Sequence, residues 1–326
     1  MNFSSEFDEV FSLIEQKSNI LLAVHERPDG DALGSMIAMF SVLKRKKGKK
    51  VVMFSKDPLP ENLKFLPYSE NIVHDTEIGE FVPDLFFGFD YGDFKRLGVD
   101  SDLIKDAKVV TFDHHPPLRQ IGDILIIDPA ASSTCEILYR FLRYGKCFIS
   151  MRTATALLTG IFTDTGGFAH VNTSISTLNA AGDLLRCGAS MAKLQRQTFS
   201  HKSPHTLRVW GSILRHVLRD EKAGMSYVII SHKEFIKLGA CLDDFEGIVN
   251  IINTPPDARF SLLLIEHTPE VIKGSMRSEP FKKVDVSRIA NALGGGGHKY
   301  AAGFELKGET LKNAVERVKI CAAEIV

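Results

Sequence analysis

The stretch NILLAVHERPDGDALGSMIAMFSVLKRKK, residues 19–47, carries the reading that decides the fold. Asn19–Val24 is an apolar run of strand length, and it ends at His25. A polar loop follows, and then Leu33–Lys47 shows apolar residues at helical spacing (Leu33, Ile37, Met39, Phe40, Leu43) before closing on basic residues and Gly48. Outward from this unit the alternation repeats. Lys50–Phe54, Asp84–Phe89, Lys108–Phe112 and Ile124–Ile127 read as strands, while Thr134–Tyr144, Arg152–Ile161 and Thr177–Arg186 read as helices. Strands alternating with helices predict a doubly wound, mostly parallel α/β sheet covered on both faces. Open sheets of that kind bind ligands beyond the carboxyl ends of their strands.

The pattern changes in the second half. Residues from Met191 to about Arg219 look like charged helical connecting structure. Beyond them Met225–Ser231, Ala258–Glu266 and Val271–Met276 read as strands, with helical patterns at Phe235–Ala240, Glu246–Ile252, Asp285–Leu293 and Thr310–Glu324. The simplest organisation is a domain over residues 1–190, a helical connector over 191–213 and a smaller α/β domain over 214–326.

Composition narrows the function. The chain has 326 residues, 44% of them hydrophobic and 25% charged, which is ordinary for a globular protein large enough for two cores. Lys plus Arg and Asp plus Glu number 40 each. That balance argues against holding long nucleic acid through a broad basic field, and leaves room for a short anionic ligand in a local cluster. The five cysteines are widely spaced, with no C-x-x-C pair, as expected for a reducing, cytoplasmic setting. The acidic N-terminus reads as an amphipathic helix rather than a signal peptide, and no apolar run approaches the roughly 20 residues that would cross a membrane.

Three predicted strands end in residues of one chemical kind: His25, Asp90, and Asp113-His114-His115. The loop after His25 adds Asp29 and Asp31 around Gly30. Alone, such a loop is turn and cap chemistry. Beside a strand-tip histidine, the glycine lets both carboxylates face the imidazole. Asp164 closes a helical run, where its charge opposes the helix dipole and points to a compensating cation. If these groups converge, carboxylates about 4 Å apart repel by roughly 4 kcal/mol per pair at an effective dielectric near 20. Protons or cations must relieve that. Carboxylate and imidazole ligands without thiolate suit Mn²⁺ and similar ions, Mg²⁺ or Co²⁺ included. Two such ions form the known clamp for in-line attack at phosphorus.

At these residues the sequence resembles the DHH phosphoesterase superfamily. The motifs are HERPDGDALGS (25–35), Asp90, FDHHPP (112–117), PAASSTCEILY (129–139) and GIFTDTGG (160–167). GSMRS (274–278) and GGGGHKYAAG (294–303) resemble the accompanying DHHA1 domain. The resemblance implies one metal held by His25, Asp29 and Asp90, and a second held by Asp31, Asp90, His114 and Asp164. It implies that His115 faces the substrate phosphate, and that Asp113 orients an imidazole. Arg277, with Gly295, Gly296, Gly297 and His298, would grip a nucleotide phosphate in a cleft between the domains. One departure is Tyr91, where relatives often carry threonine.

The compact two-domain form is most similar to the nanoRNase/pAp phosphatase group, which degrades very short RNA and removes the 3′-phosphate of adenosine 3′,5′-bisphosphate (pAp). The resemblance therefore implies a two-metal hydrolase of short oligoribonucleotides or pAp, with no duplex and no membrane partner. The alternatives are a cytosolic phosphodiesterase for linear or cyclic dinucleotides, and a non-catalytic nucleotide-binding protein. The oligomeric state is left open by the sequence, a homodimer included.

Overall fold

The computed structural model describes residues 3–74, 78, 81–116, 120–200 and 203–325. The chain divides into two compact units, Met1–His201 and Lys202–Val326.

In the first unit the strands are β1 (Asn19–Val24), β2 (Lys50–Phe54), β3 (Ile72–Val73), β4 (Leu85–Phe89), β5 (Lys108–Asp113) and β6 (Ile124–Ile127). They form one sheet in the order β3-β2-β1-β4-β5-β6, and every pairing is parallel. The strand order reverses between β1 and β4, so the crevice above their carboxyl ends is the switch point where such sheets bind ligands. β1 is apolar throughout because both its faces are covered. Ile20, Leu22 and Val24 join one buried cluster, and Leu21 and Ala23 join another.

The helices of this unit are α1 (Ser4–Gln16), α2 (Gly30–Leu43), α3 (Ser101–Ile104), α4 (Thr134–Tyr144), α5 (Met151–Asp164), α6 (Ile175–Arg186) and α7 (Met191–Gln195). α2 begins three residues before the apolar pattern predicts, because the Asp29 side chain caps it by accepting from the amides of Asp31 and Ala32 at 3.0 and 3.1 Å. α2 and α5 cross at small residues. A Cβ on Gly34 would lie 2.5 Å from the Ala156 carbonyl oxygen, and one on Gly160 would lie 2.3 Å from Cys135 Sγ. No larger side chain fits that crossing.

The second unit contains α8 (Pro204–Leu214), β7 (Leu218–Asp220), β8 (Met225–Ile230), α9 (His232–Lys237), α10 (Ile248–Ile252), β9 (Phe260–Thr268), β10 (Val271–Arg277), α11 (Val286–Ala292), β11 (Gly296–His298), β12 (Ala301–Lys307) and α12 (Leu311–Ile325). Its sheet runs β11-β12-β10-β9-β8-β7, with β8 and β9 parallel and the other pairs antiparallel. β11 is short and glycine-rich, so it carries no strand signal. β12 instead alternates, with Ala302, Phe304 and Leu306 buried, a period-two pattern that is not among the strands read above. The two approach closely where side chains are excluded: a Cβ on Gly297 would sit 2.6 Å from the Ala301 carbonyl oxygen.

Candidate metal centre

Each candidate ligand of the first unit occupies an element end. His25 follows β1 and is buried. Asp29 caps α2, and Asp31 lies in its first turn. Asp90 follows β4, where its amide still donates to the Phe112 carbonyl at 3.0 Å. Its φ of 56° then turns the chain sharply. That left-handed conformation is costly for most side chains and tolerated by aspartate. Asp113 ends β5, with His114 and His115 beyond it, and Asp164 is the last residue of α5.

The fold brings these side chains together. His25, Asp29 and Asp90 offer ligand atoms within 4.8 Å of one another, and so do Asp31, His114 and Asp164. Asp90 joins the two groups: Oδ2 lies 3.9 Å from His25 Nε2, and Oδ1 lies 3.5 Å from His114 Nε2. His114 Nε2 is also 3.6 Å from Asp164 Oδ2. A third grouping of Asp90, His114 and His115 overlaps them.

The charge state tests whether cations fit. Burial raises Asp31, Asp90 and Asp164 above the usual carboxylate range, and mutual repulsion among the acids raises them further; His114 acts against this at Asp31 and Asp164. These acids resist ionising together unless positive charge sits among them. An all-oxygen and imidazole donor set of this kind fits divalent cations.

His115 is held differently. Its Nδ1 donates to Asp113 Oδ1 at 2.8 Å, and its amide donates to the same oxygen at 2.9 Å. Burial disfavours the imidazolium, but the bonds to Asp113 and Asp90 outweigh it and raise the pKa to about 11. Burial likewise opposes charge on Asp113, yet His115 and the Gly92 amide keep it below its ordinary value. Asp113 thus orients the His115 ring through Nδ1.

The entry to α4 supplies supports that sequence reasoning noted as a motif but gave no role. The amides of Thr134 and Cys135 donate to Asp31 Oδ2 and Oδ1 at 2.6 and 2.9 Å. Thr134 Oγ1 donates to Asp90 Oδ1 at 3.1 Å. The signal available was Ser133, an N-cap residue whose helix start can hold an anion. Asn172 Nδ2 ties the Ser132 carbonyl (2.9 Å) to that of Asp164 (3.2 Å). Tyr91 is buried, with its hydroxyl 2.6 Å from Thr111 Oγ1 and donating to the Ile121 carbonyl at 3.0 Å. It therefore fastens the far end of the loop that carries His114 and His115.

In the second unit, Arg277 ends β10; its Nε donates to Asn250 Oδ1 at 3.1 Å and Nη1 donates to the Met276 carbonyl at 3.0 Å. Gly296, Gly297 and His298 pair along β12, and the Gly295 amide donates to the Ala290 carbonyl at 2.8 Å.

Comparison with known proteins finds two family models. The DHH family N-terminal domain matches residues 19–161, and the DHHA1 domain matches residues 234–324. The bifunctional oligoribonuclease and PAP phosphatase NrnA of Thermus thermophilus is 30% identical over 312 residues, 95% of this chain and 90% of the relative. The protein of the same description from Bacillus subtilis is 28% identical, covering 91% of this chain and 92% of that one. Among solved structures, an exopolyphosphatase-related protein from Bacteroides fragilis superposes with a TM-score of 0.90 at 27% identity, covering 98% of this chain and 96% of that one.

Proposed function

This chain belongs to the DHH/DHHA1 phosphoesterases, hydrolases of phosphoester bonds, and we propose that it cleaves short oligoribonucleotides to mononucleotides and removes the 3′-phosphate of pAp. The observation that supports this reading is the pair of ligand groups, His25-Asp29-Asp90 and Asp31-His114-Asp164, that meet at Asp90. His25, Asp29 and Asp90 would hold one divalent ion, and Asp31, Asp90, His114 and Asp164 a second, with Mn²⁺ the best match to the donors. Two such ions, when bound, lower the pKa of water and neutralise phosphate oxygens.

The chain's own residues do the rest. Thr134 and the α4 amides hold Asp90 and Asp31 in their ligating positions. Asp113 keeps the His115 imidazolium oriented, so that Nε2 can give a proton to the leaving ribose oxygen. In the same proposal residues 1–190 form the catalytic domain, 191–213 a connector and 214–326 a substrate-binding domain in which Arg277, Gly295, Gly296, Gly297 and His298 meet a nucleotide phosphate. A cytoplasmic setting accords with five unpaired cysteines, and no described helix is long and apolar enough to cross a membrane.

The test is hydrolysis, with added Mn²⁺, of pAp, pGpG, RNA of two to five nucleotides, long single-stranded DNA, cyclic di-AMP and pyrophosphate. The expected result is mononucleotides from the shortest RNAs and phosphate from pAp. Activity confined to the cyclic dinucleotide or to long DNA would replace the substrate. Two bound metals with no hydrolysis would favour a nucleotide-binding role.

A further inference from the structure

We propose that Arg96 grips the non-scissile 5′-phosphate of the substrate, an assignment that rests on the phosphoesterase reading above. Arg96 lies in the short turn Phe94–Leu97 after β4, and its carbonyl accepts from the Glu26 amide, which fixes its backbone beside the tip of β1. Its guanidinium places Nη2 3.2 Å from His25 Nδ1, while Nη1 donates to the Tyr91 carbonyl at 3.3 Å. Among the described residues no carboxylate pairs with it, although four aspartates crowd the neighbouring site.

Hydrogen-bond chemistry excludes Arg96 as the group that orients a ligating His25. For Nε2 to offer its lone pair to a cation, Nδ1 must carry the proton, and the Glu26 carbonyl stands 2.7 Å away to accept it. A guanidinium only donates, so it cannot also partner a protonated Nδ1. Were His25 to hold a cation through Nε2, Nδ1 would donate to Glu26 and Arg96 would keep only its bond to the Tyr91 carbonyl at 3.3 Å. A half-buried guanidinium with no carboxylate partner among the described residues, at the edge of a phosphate-handling site, is matched by a phosphate, which it can bind bidentately.

Its place selects which phosphate. The fork stands on the Nδ1 side of His25, an imidazole's width behind the nitrogen that would face the metal. It is thus set back from the metal-facing nitrogen, and the phosphate assigned to it is the next one along the substrate rather than the one under attack. Both pAp and a 5′-phosphorylated dinucleotide carry a 5′-phosphate on the nucleotide whose O3′–P bond is cut. One recognition group would serve both.

The experiment compares pAp with adenosine 3′-monophosphate, and 5′-phosphorylated with 5′-hydroxyl dinucleotides, by kcat/KM and by calorimetric binding. Wild type is expected to favour the 5′-phosphorylated member of each pair by about tenfold or more, the scale of a charge-assisted bond. In Arg96→Ala and Arg96→Gln that ratio should collapse toward one, and Arg96→Lys should recover part of it. Mn²⁺ affinity and Tm should stay at wild-type values. A ratio that survives in Arg96→Ala overturns the assignment, as does wild type with no preference. A fall in Mn²⁺ affinity would instead make Arg96 a brace for His25. A wild type that hydrolyses none of these, yet binds pAp more tightly than adenosine 3′-monophosphate, overturns the substrate reading and keeps Arg96; one that does neither removes both.

Discussion

Asp90 concentrates the demands on this site: buried, in a left-handed turn, and within reach of His25, His114 and His115. If it bridges two ions, Asp90→Ala should abolish turnover and reduce bound Mn²⁺ measured by calorimetry. Near-normal turnover would sink the two-metal assignment. Thr134→Val removes only the hydroxyl that holds Asp90, and second-layer losses of this kind typically cost about 10–100-fold in metal affinity or activity. His115 offers a pH readout. Its pKa of about 11 keeps the metal-free imidazole charged through neutral pH. Asp113→Asn should bring that titration down by at least about one pH unit, followed by NMR of the metal-free protein. An unmoved titration would show that Asp113 does not hold the proton.

At the scale of elements, the site depends on how closely α2, α4 and α5 approach. An alanine at Gly160 would place its Cβ 2.3 Å from Cys135 Sγ and 2.6 Å from Asp31 Oδ1. Gly160→Ala should cost about 1–3 kcal/mol in urea unfolding, as overpacked cores do, and should disturb Asp31 as well. Glu136 joins α4 to α6. It is buried, accepts from Ser132, Ser176 and Thr177, and is held below its ordinary pKa because those bonds outweigh the burial that opposes its charge. Its stabilising contribution is therefore complete above the unfolded value near 4.5 and is lost as pH falls through the lower folded value. Glu136→Gln should flatten that acid limb of the stability curve, monitored by Tm from pH 6 down to 3.

At the scale of the whole molecule, chemistry and substrate grip are proposed for different units. Arg277→Ala should then raise KM while Mn²⁺ content stays unchanged. Loss of metal with that variant would refute a clamp role. Lys282 shows how the second unit is built: almost fully buried, it donates to Asn253 Oδ1 at 3.1 Å and to the Pro255 carbonyl at 3.2 Å, pinning the loop before β9.

Five strands of the first sheet were legible in the sequence, because strands buried on both faces write themselves as apolar runs and β1, β2 and β6 begin and end where those runs do, whereas the two-residue β3 (Ile72–Val73) was not read. The candidate ligands were legible too, as polar residues at the tips of such runs. β12, whose Phe304 and Leu306 alternate with Glu305 and Lys307, did carry a strand signal that was not read, whereas β11 was not legible, because its glycines carry none. Nor was the service of Thr134, Cys135, Asn172 and Arg96 around the site. Hydrogen bonds from residues 44, 103 or 104 positions away depend on where helices land, and local pattern holds no record of that. Sequence alone thus determined which atoms are available for chemistry and at which element ends they stand. Tertiary structure decided which of them face one another, since burial and mutual repulsion, the forces that favour a cation or a proton among these acids, exist only once the chain is packed.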